Sequence, residues 1–157
     1  MERTAAASGR TPSAVARLAE SPELLNSFLE LSASFERTTL DPVAREVVIM
    51  TVAVRNDCHI CVNMHTAKLR KLGADAELIA ALREGRGLEE AGAGAGAGLE
   101  VVRRFTLEVL ATAGGVGDEE LKAFLAAGYT ERNALEVVMG IGTYTMSTLA
   151  NRLTRAA

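Results

Sequence analysis

Two cysteines and two histidines are all that the 157-residue chain contains, and all four fall between Cys58 and His65. Such a cluster of thiols and imidazoles offers redox or metal chemistry. Asn56 and Asp57 interrupt an apolar run, and Asp57 reads as the N-cap of a helix that begins at Cys58. At ~100° per residue, Cys58, Cys61 and His65 then share an arc of roughly 60° on one face. A cysteine in a first helical turn meets unpaired backbone N–H groups and the positive end of the helix dipole, which favour thiolate over thiol. By position alone Cys58 is the more acidic of the two. The Cys-x-x-Cys pair can cycle between dithiol and disulfide, and His65, one turn beyond Cys61, can move a proton. Glu46 joins them as a buried acid if the helix that carries it folds back on the helix of the cysteines. Zinc is the rival use of Cys58, Cys61 and His65, although only His59 or a carboxylate remains as a fourth ligand.

The elements that position these groups are helical. Ala, Leu, Val and Glu dominate, aromatic residues make up 4% with no Trp, and no segment has the alternation of a strand. Ser21-Pro22 and Asp41-Pro42 are start signals, an N-cap followed by Pro in the first turn. They open helices over Pro22 to Phe35 and Pro42 to Val54, the second apolar on nearly every side. The Cys58 to Leu72 helix ends in basic residues, with Gly73 as its C-cap. Further helices are expected over Asp75 to Arg83, Leu99 to Ala113, a stretch capped by Asp118 and ending near Gly128, and a last one from Thr130 to Thr154. A short helix over Ser13 to Ala19 precedes them. The alternating Ala-Gly tract, Ala91 to Gly98, reads as a flexible loop. The fold class is therefore all-α, with about six to eight helices. Its centre is an antiparallel hairpin of the helices at 42–54 and 58–72, forced by their short connection.

With 48% hydrophobic and 24% charged residues, the chain has the size and composition of one globular domain. Residues 1–12 are small and polar and read as a disordered segment, leaving 13–157 as a single domain. A net charge of −3 gives no electrostatic footprint for nucleic acid. No window approaches a membrane span, and the first residues lack the apolar core of a signal peptide, so a soluble, cytoplasmic protein is expected. Two cysteines so close in sequence cannot staple distant parts of a fold, which fits a reducing compartment and a redox or metal role.

The spacing of Glu46, Cys58, Cys61 and His65 resembles that of the carboxymuconolactone decarboxylase superfamily, and within it the AhpD-like alkylhydroperoxidase branch. The stretches from Phe124 to Thr130 and Leu135 to Val138, and the late Ala150-Asn151, are similar to the C-terminal half of the same family. The resemblance implies an AhpD-like helical fold, commonly assembled into homo-oligomers, trimers or higher. It implies that Cys61 attacks a peroxide oxygen and becomes a sulfenic acid, that Cys58 resolves it to a disulfide, and that Glu46 and His65 relay protons. The substrate would be an organic hydroperoxide or a disulfide, and the electron donor an external dithiol or a lipoyl-bearing protein, with no resident cofactor or metal. A lactone decarboxylase of the wider superfamily and a zinc-binding or redox-switch module are the alternatives. His59 reads as a surface residue, and Tyr129 and Tyr144 as packing.

Overall fold

The computed structural model describes residues 14–91 and 96–156, and within them eight α-helices. They are α1 (Ala14–Leu18), α2 (Pro22–Glu36), α3 (Pro42–Arg55), α4 (His59–Lys71), α5 (Ala76–Glu84), α6 (Gly96–Thr112), α7 (Asp118–Ala126) and α8 (Glu131–Leu153). Among the described residues there is no strand, and no helix is long and apolar enough to cross a membrane. The segment expected to be disordered, 1–12, lies outside the described residues, as does the middle of the Ala-Gly tract.

Four of the helices, α2, α3, α5 and α8, begin where a side chain satisfies a free N–H group. The Ser21 hydroxyl accepts from the Leu24 N–H, the Asp41 carboxylate from Val43 and the Asp75 carboxylate from Glu77. At α8, Thr130 and Asn133 bond each other's backbone in a reciprocal capping box. Gly85 closes α5 in the left-handed conformation at φ 68°, and Gly73 does the same beyond α4 at φ 77°.

Away from the cysteines, two starts differ from the sequence reading. Gly117, not Asp118, is the N-cap of α7, so Asp118 stands inside the first turn with Glu119 and Glu120, where three carboxylates favour the positive helix end. Helix α6 begins at Gly96, three residues before Leu99. A side chain is impossible there, because a Cβ on Gly96 would lie 2.1 Å from the Leu88 carbonyl oxygen and 2.4 Å from that of Ala91. The glycine that reads as loop punctuation is what lets the helix start against that turn.

The core forms around α3. Every residue from Glu46 to Ala53 is buried, and α4, α5, α6 and α8 all pack against this helix. The apolar-all-round pattern thus marks a helix enclosed by neighbours. Helices α3 and α4 form the expected hairpin, while α8 runs across α2 and α3. Its approach depends on Gly140, where a Cβ would meet the Phe35 ring at 2.7 Å and Val48 at 3.0 Å. The opposite side of α8 is exposed, with Leu135, Val138, Gly142, Leu149 and Leu153 facing outward.

Phe35 is fully buried and cannot move aside, so Gly140→Ala should destabilise the fold despite the better helix propensity of Ala. A clash of this kind costs about 1–3 kcal/mol against a helical gain of about 1. Chemical denaturation should therefore show a net loss on the order of 1 kcal/mol, whereas unchanged stability would mean that α8 does not seat this closely.

Candidate active site

The site is built on the junction between α3 and α4. The Asp57 N–H bonds the Val54 carbonyl (3.1 Å) and the Cys58 N–H bonds that of Ala53 (2.9 Å), the two capping bonds of a helix that ends in a left-handed residue. That residue is Asp57, at φ 53°. It therefore terminates α3 and does not cap α4, which corrects the sequence expectation. The N-cap of α4 is Cys58 itself, extended at φ −95° and ψ 90°, and the helix starts one residue later at His59. Aspartate tolerates the left-handed region better than most residues, so the turn forms without glycine.

This places the Cys58 sulfur over the first turn of α4. Cys58 and Cys61 are free thiols, both buried, with their sulfurs 2.9 Å apart and sharing a hydrogen bond. That bond lowers the Cys58 thiol to about 6 against the opposing effect of burial, with help from the Cys61 N–H, the Asn151 amide and the charge of His59. It raises Cys61, whose proton the Cys58 thiolate holds, and burial raises it further. The thiol–thiol contact thus favours ionisation at Cys58 and disfavours it at Cys61. Asn151, from the far end of the chain, donates its Nδ2 to Cys61 (3.3 Å) and lies 4.0 Å from Cys58. A shallow cleft of about 210 Å³ opens beside Cys58, lined by Asp57, His59, Asn151, Arg152 and Arg155.

One turn along α4 from Cys61, the His65 ring meets a side chain of α3. Its Nδ1 is 2.6 Å from Oε2 of Glu46, whose side chain is 1% exposed. Lys68 approaches the other carboxylate oxygen at 3.2 Å and also pairs with Glu36. Although burial opposes it, these two carboxylates raise the Lys68 ammonium above its ordinary value. The Tyr144 ring packs edge-on against His65 at 5.4 Å, and its hydroxyl shares a hydrogen bond with Ser32.

The structure thus brings the four sequence-derived residues into two pairs along α4, Cys58 with Cys61 at its start and His65 with Glu46 of α3. Among the described residues no hydrogen bond joins the imidazole to a sulfur. Nor do three or more His, Cys, Asp or Glu side chains converge as a metal-binding group there. His59 is exposed and lies 3.4 Å from Asp57. Three residues had no place in the sequence-derived site. Lys68 reads as a charge at a helix end, and Tyr144 and Asn151 stand far away in sequence. They occupy one face of α8, two turns apart, so that Asn151 meets Cys61 and Tyr144 meets His65.

Residues 19–104 match the model of the Carboxymuconolactone decarboxylase family, a span that contains Glu46, Cys58, Cys61 and His65. The chain belongs to this family. The whole fold also superposes on an uncharacterised peroxidase-related protein from Silicibacter sp. TM1040 with a TM-score of 0.78, at 20% identity over 99% of this chain and 81% of that one. A protein of unknown function from Agrobacterium tumefaciens, named as a candidate antioxidant defence protein AhpD, gives a TM-score of 0.74 at 16% identity, covering 93% and 97%. Identities of this size establish the shared helical fold. No curated protein matches the chain. The carboxymuconolactone decarboxylase match ends before α8, so Tyr144 and Asn151 lie outside the matched segment.

The split acidity has a direct readout. Alkylation of the reduced protein should show one thiol with a midpoint near pH 6, while the second reacts only above the ordinary thiol range. Because the folded value of Cys58 lies below its unfolded value, its ionisation stabilises the fold fully above pH 9 and that contribution is lost as pH falls to about 6. The stability gap between the reduced protein and Cys58→Ser should therefore widen from pH 6 to pH 9; a gap independent of pH would remove the thiolate from Cys58.

Proposed function

We propose that this chain is a dithiol oxidoreductase that reduces organic hydroperoxides, or disulfides, with the electron pair of Cys58 and Cys61. One observation carries the reading: two free thiols stand 2.9 Å apart at a helix N-terminus, one of them lowered to about 6. A thiolate at neutral pH with a second thiol in contact is the arrangement that two-electron reduction needs.

The resemblance assigns the first attack to Cys61. Cys58 is the thiol whose ionisation the contact favours and the one that lines the open cleft, and we assign the attack to Cys58 on that ground. The thiolate sulfur attacks the hydroxyl-bearing oxygen of the peroxide. An S–O bond forms, the O–O bond breaks, sulfur loses two electrons, and the leaving alkoxide takes the Cys61 proton. The Cys61 thiolate then attacks the sulfenic acid at Cys58, expelling hydroxide as the disulfide closes. The hydroxide takes up the proton that Cys58 released on ionising and leaves as water, with Glu46 and His65 as the relay. Two thiols and one hydroperoxide give one disulfide, one alcohol and one water. An external dithiol or lipoyl-bearing protein completes the cycle by reducing the disulfide, and no resident cofactor or metal takes part.

The names borne by the two structural neighbours, one peroxidase-related and one a candidate AhpD, point the same way. The lactone chemistry after which the family is named would leave the dithiol unemployed. Self-association into a homo-oligomer of three or more copies belongs to the same reading, and the exposed leucines and valine on the outer face of α8 would serve it.

Reduced protein mixed with tert-butyl hydroperoxide should lose two thiols per peroxide consumed and become lighter by two hydrogens. Cys58→Ser should abolish the reaction, and Cys61→Ser should stop at a single sulfenic acid that dimedone traps. The reverse pattern would move the attack to Cys61, and thiols that persist in excess peroxide would end the peroxidase reading.

A further inference from the structure

A primary amide brings two N–H donors and a carbonyl acceptor, and a buried one ordinarily has both ends employed. Asn151 is 6% exposed, and only its donor end is used, toward the two sulfurs. Its Oδ1 is buried with no hydrogen-bond partner among the described residues.

The hydrogen bonds of the polar side chains around it run to other groups. Asn56 gives its Nδ2 to the Thr148 hydroxyl (2.9 Å), Arg152 gives Nη1 to the Asn56 carbonyl (2.9 Å), and Ser147 bonds the Tyr144 carbonyl (3.3 Å). The first two of these bonds tie the end of α8 to the α3–α4 junction, so they also hold the amide in place over the dithiol. An acceptor is left open beside the reactive sulfurs, in a residue that lines the cleft next to Cys58.

A hydroperoxide supplies what this acceptor lacks. It carries an O–H on the very oxygen that a thiolate attacks, whereas a disulfide carries none. We propose that Asn151 is the peroxide-binding residue of this site: its Oδ1 accepts the O–H of an alkyl hydroperoxide while its Nδ2 donates to the sulfurs. The inference rests on the hydroperoxide reading above and deepens it. Held in this way, the hydroxyl oxygen faces the thiolate and the O–O bond points outward to the cleft. When the S–O bond forms and the O–O bond breaks, the same O–H stays on the acceptor as that of the sulfenic acid. The leaving alkoxide departs on the open side and takes the Cys61 proton. Asn151 therefore selects hydroperoxides over disulfides, in addition to any effect on thiol acidity.

The test compares two oxidants on the full reduced chain, tert-butyl hydroperoxide and the aromatic disulfide dithiodipyridine. Both need the thiolate, but only one brings an O–H. Rates are corrected for thiolate content from the pH dependence of alkylation. In Asn151→Leu, which conserves volume and removes the acceptor, the hydroperoxide rate should fall about tenfold more than the disulfide rate. Asn151→Ala serves the same purpose if Leu does not fold. Asn151→Asp keeps a carbonyl acceptor and should restore most of the preference. Equal slowing of both oxidants in the variants overturns the inference and makes Asn151 a group that acts on the sulfurs alone. A wild-type dithiol that reduces dithiodipyridine but ignores the hydroperoxide removes the parent reading, and this one with it.

Discussion

The junction of α3 and α4 leaves no slack. The backbone bonds that terminate one helix end at the residue that caps the next, so Cys58 has a single place to be. Its extended conformation lays the sulfur over the first turn of α4, where Cys61 comes around to meet it. The same sharp return sets Glu46, near the start of α3, opposite His65 on the second turn of α4. Both pairs of the site thus derive from one turn whose left-handed residue is an aspartate.

Around that turn the protein holds an ionisable group where apolar packing would be simpler. Glu46 is as buried as the Val and Ile residues beside it. Two buried charges are seldom worth more than a well-packed apolar pair, yet removing one partner of such a pair costs about 3–5 kcal/mol. Glu46 keeps both oxygens satisfied, one by His65 and one by Lys68, while Tyr144 closes the ring of His65 from the α8 side. Such an arrangement gains little stability over apolar packing, yet it ties α3, α4 and α8 together at one point.

Much of this architecture is legible in the sequence. Ser21-Pro22, Asp41-Pro42, Asp75, Thr130, Gly73 and Gly85 are local signals, since each acts on backbone groups within a few residues of itself, and the helices begin and end by them. The step from Cys61 to His65 is a property of one helix, whereas Cys58 stands outside it as the N-cap. Asp57 misleads because an aspartate ahead of a helix can serve either neighbour, and only the folded backbone shows that it belongs to α3. Gly96 misleads for a different reason: the close approach of the turn at Leu88 is invisible in a run of Ala and Gly. Asn151, Tyr144 and Lys68 join the site through contacts between helices, and no spacing within the chain announces them. Asn151 stands 90 residues from the sulfur it touches.

The seating of α8 on Phe35 has an effect well beyond packing. Asn151 lies about three turns along the helix from Gly140, and Tyr144 about one. Since α8 reaches both halves of the site, sliding it along its axis would shift the amide and the phenol together, carrying one off the sulfurs and the other off the imidazole. The notch at Gly140, filled by the Phe35 ring, works as a detent that fixes this axial setting. A missing methyl group in the core thereby calibrates the alignment of polar atoms three turns away.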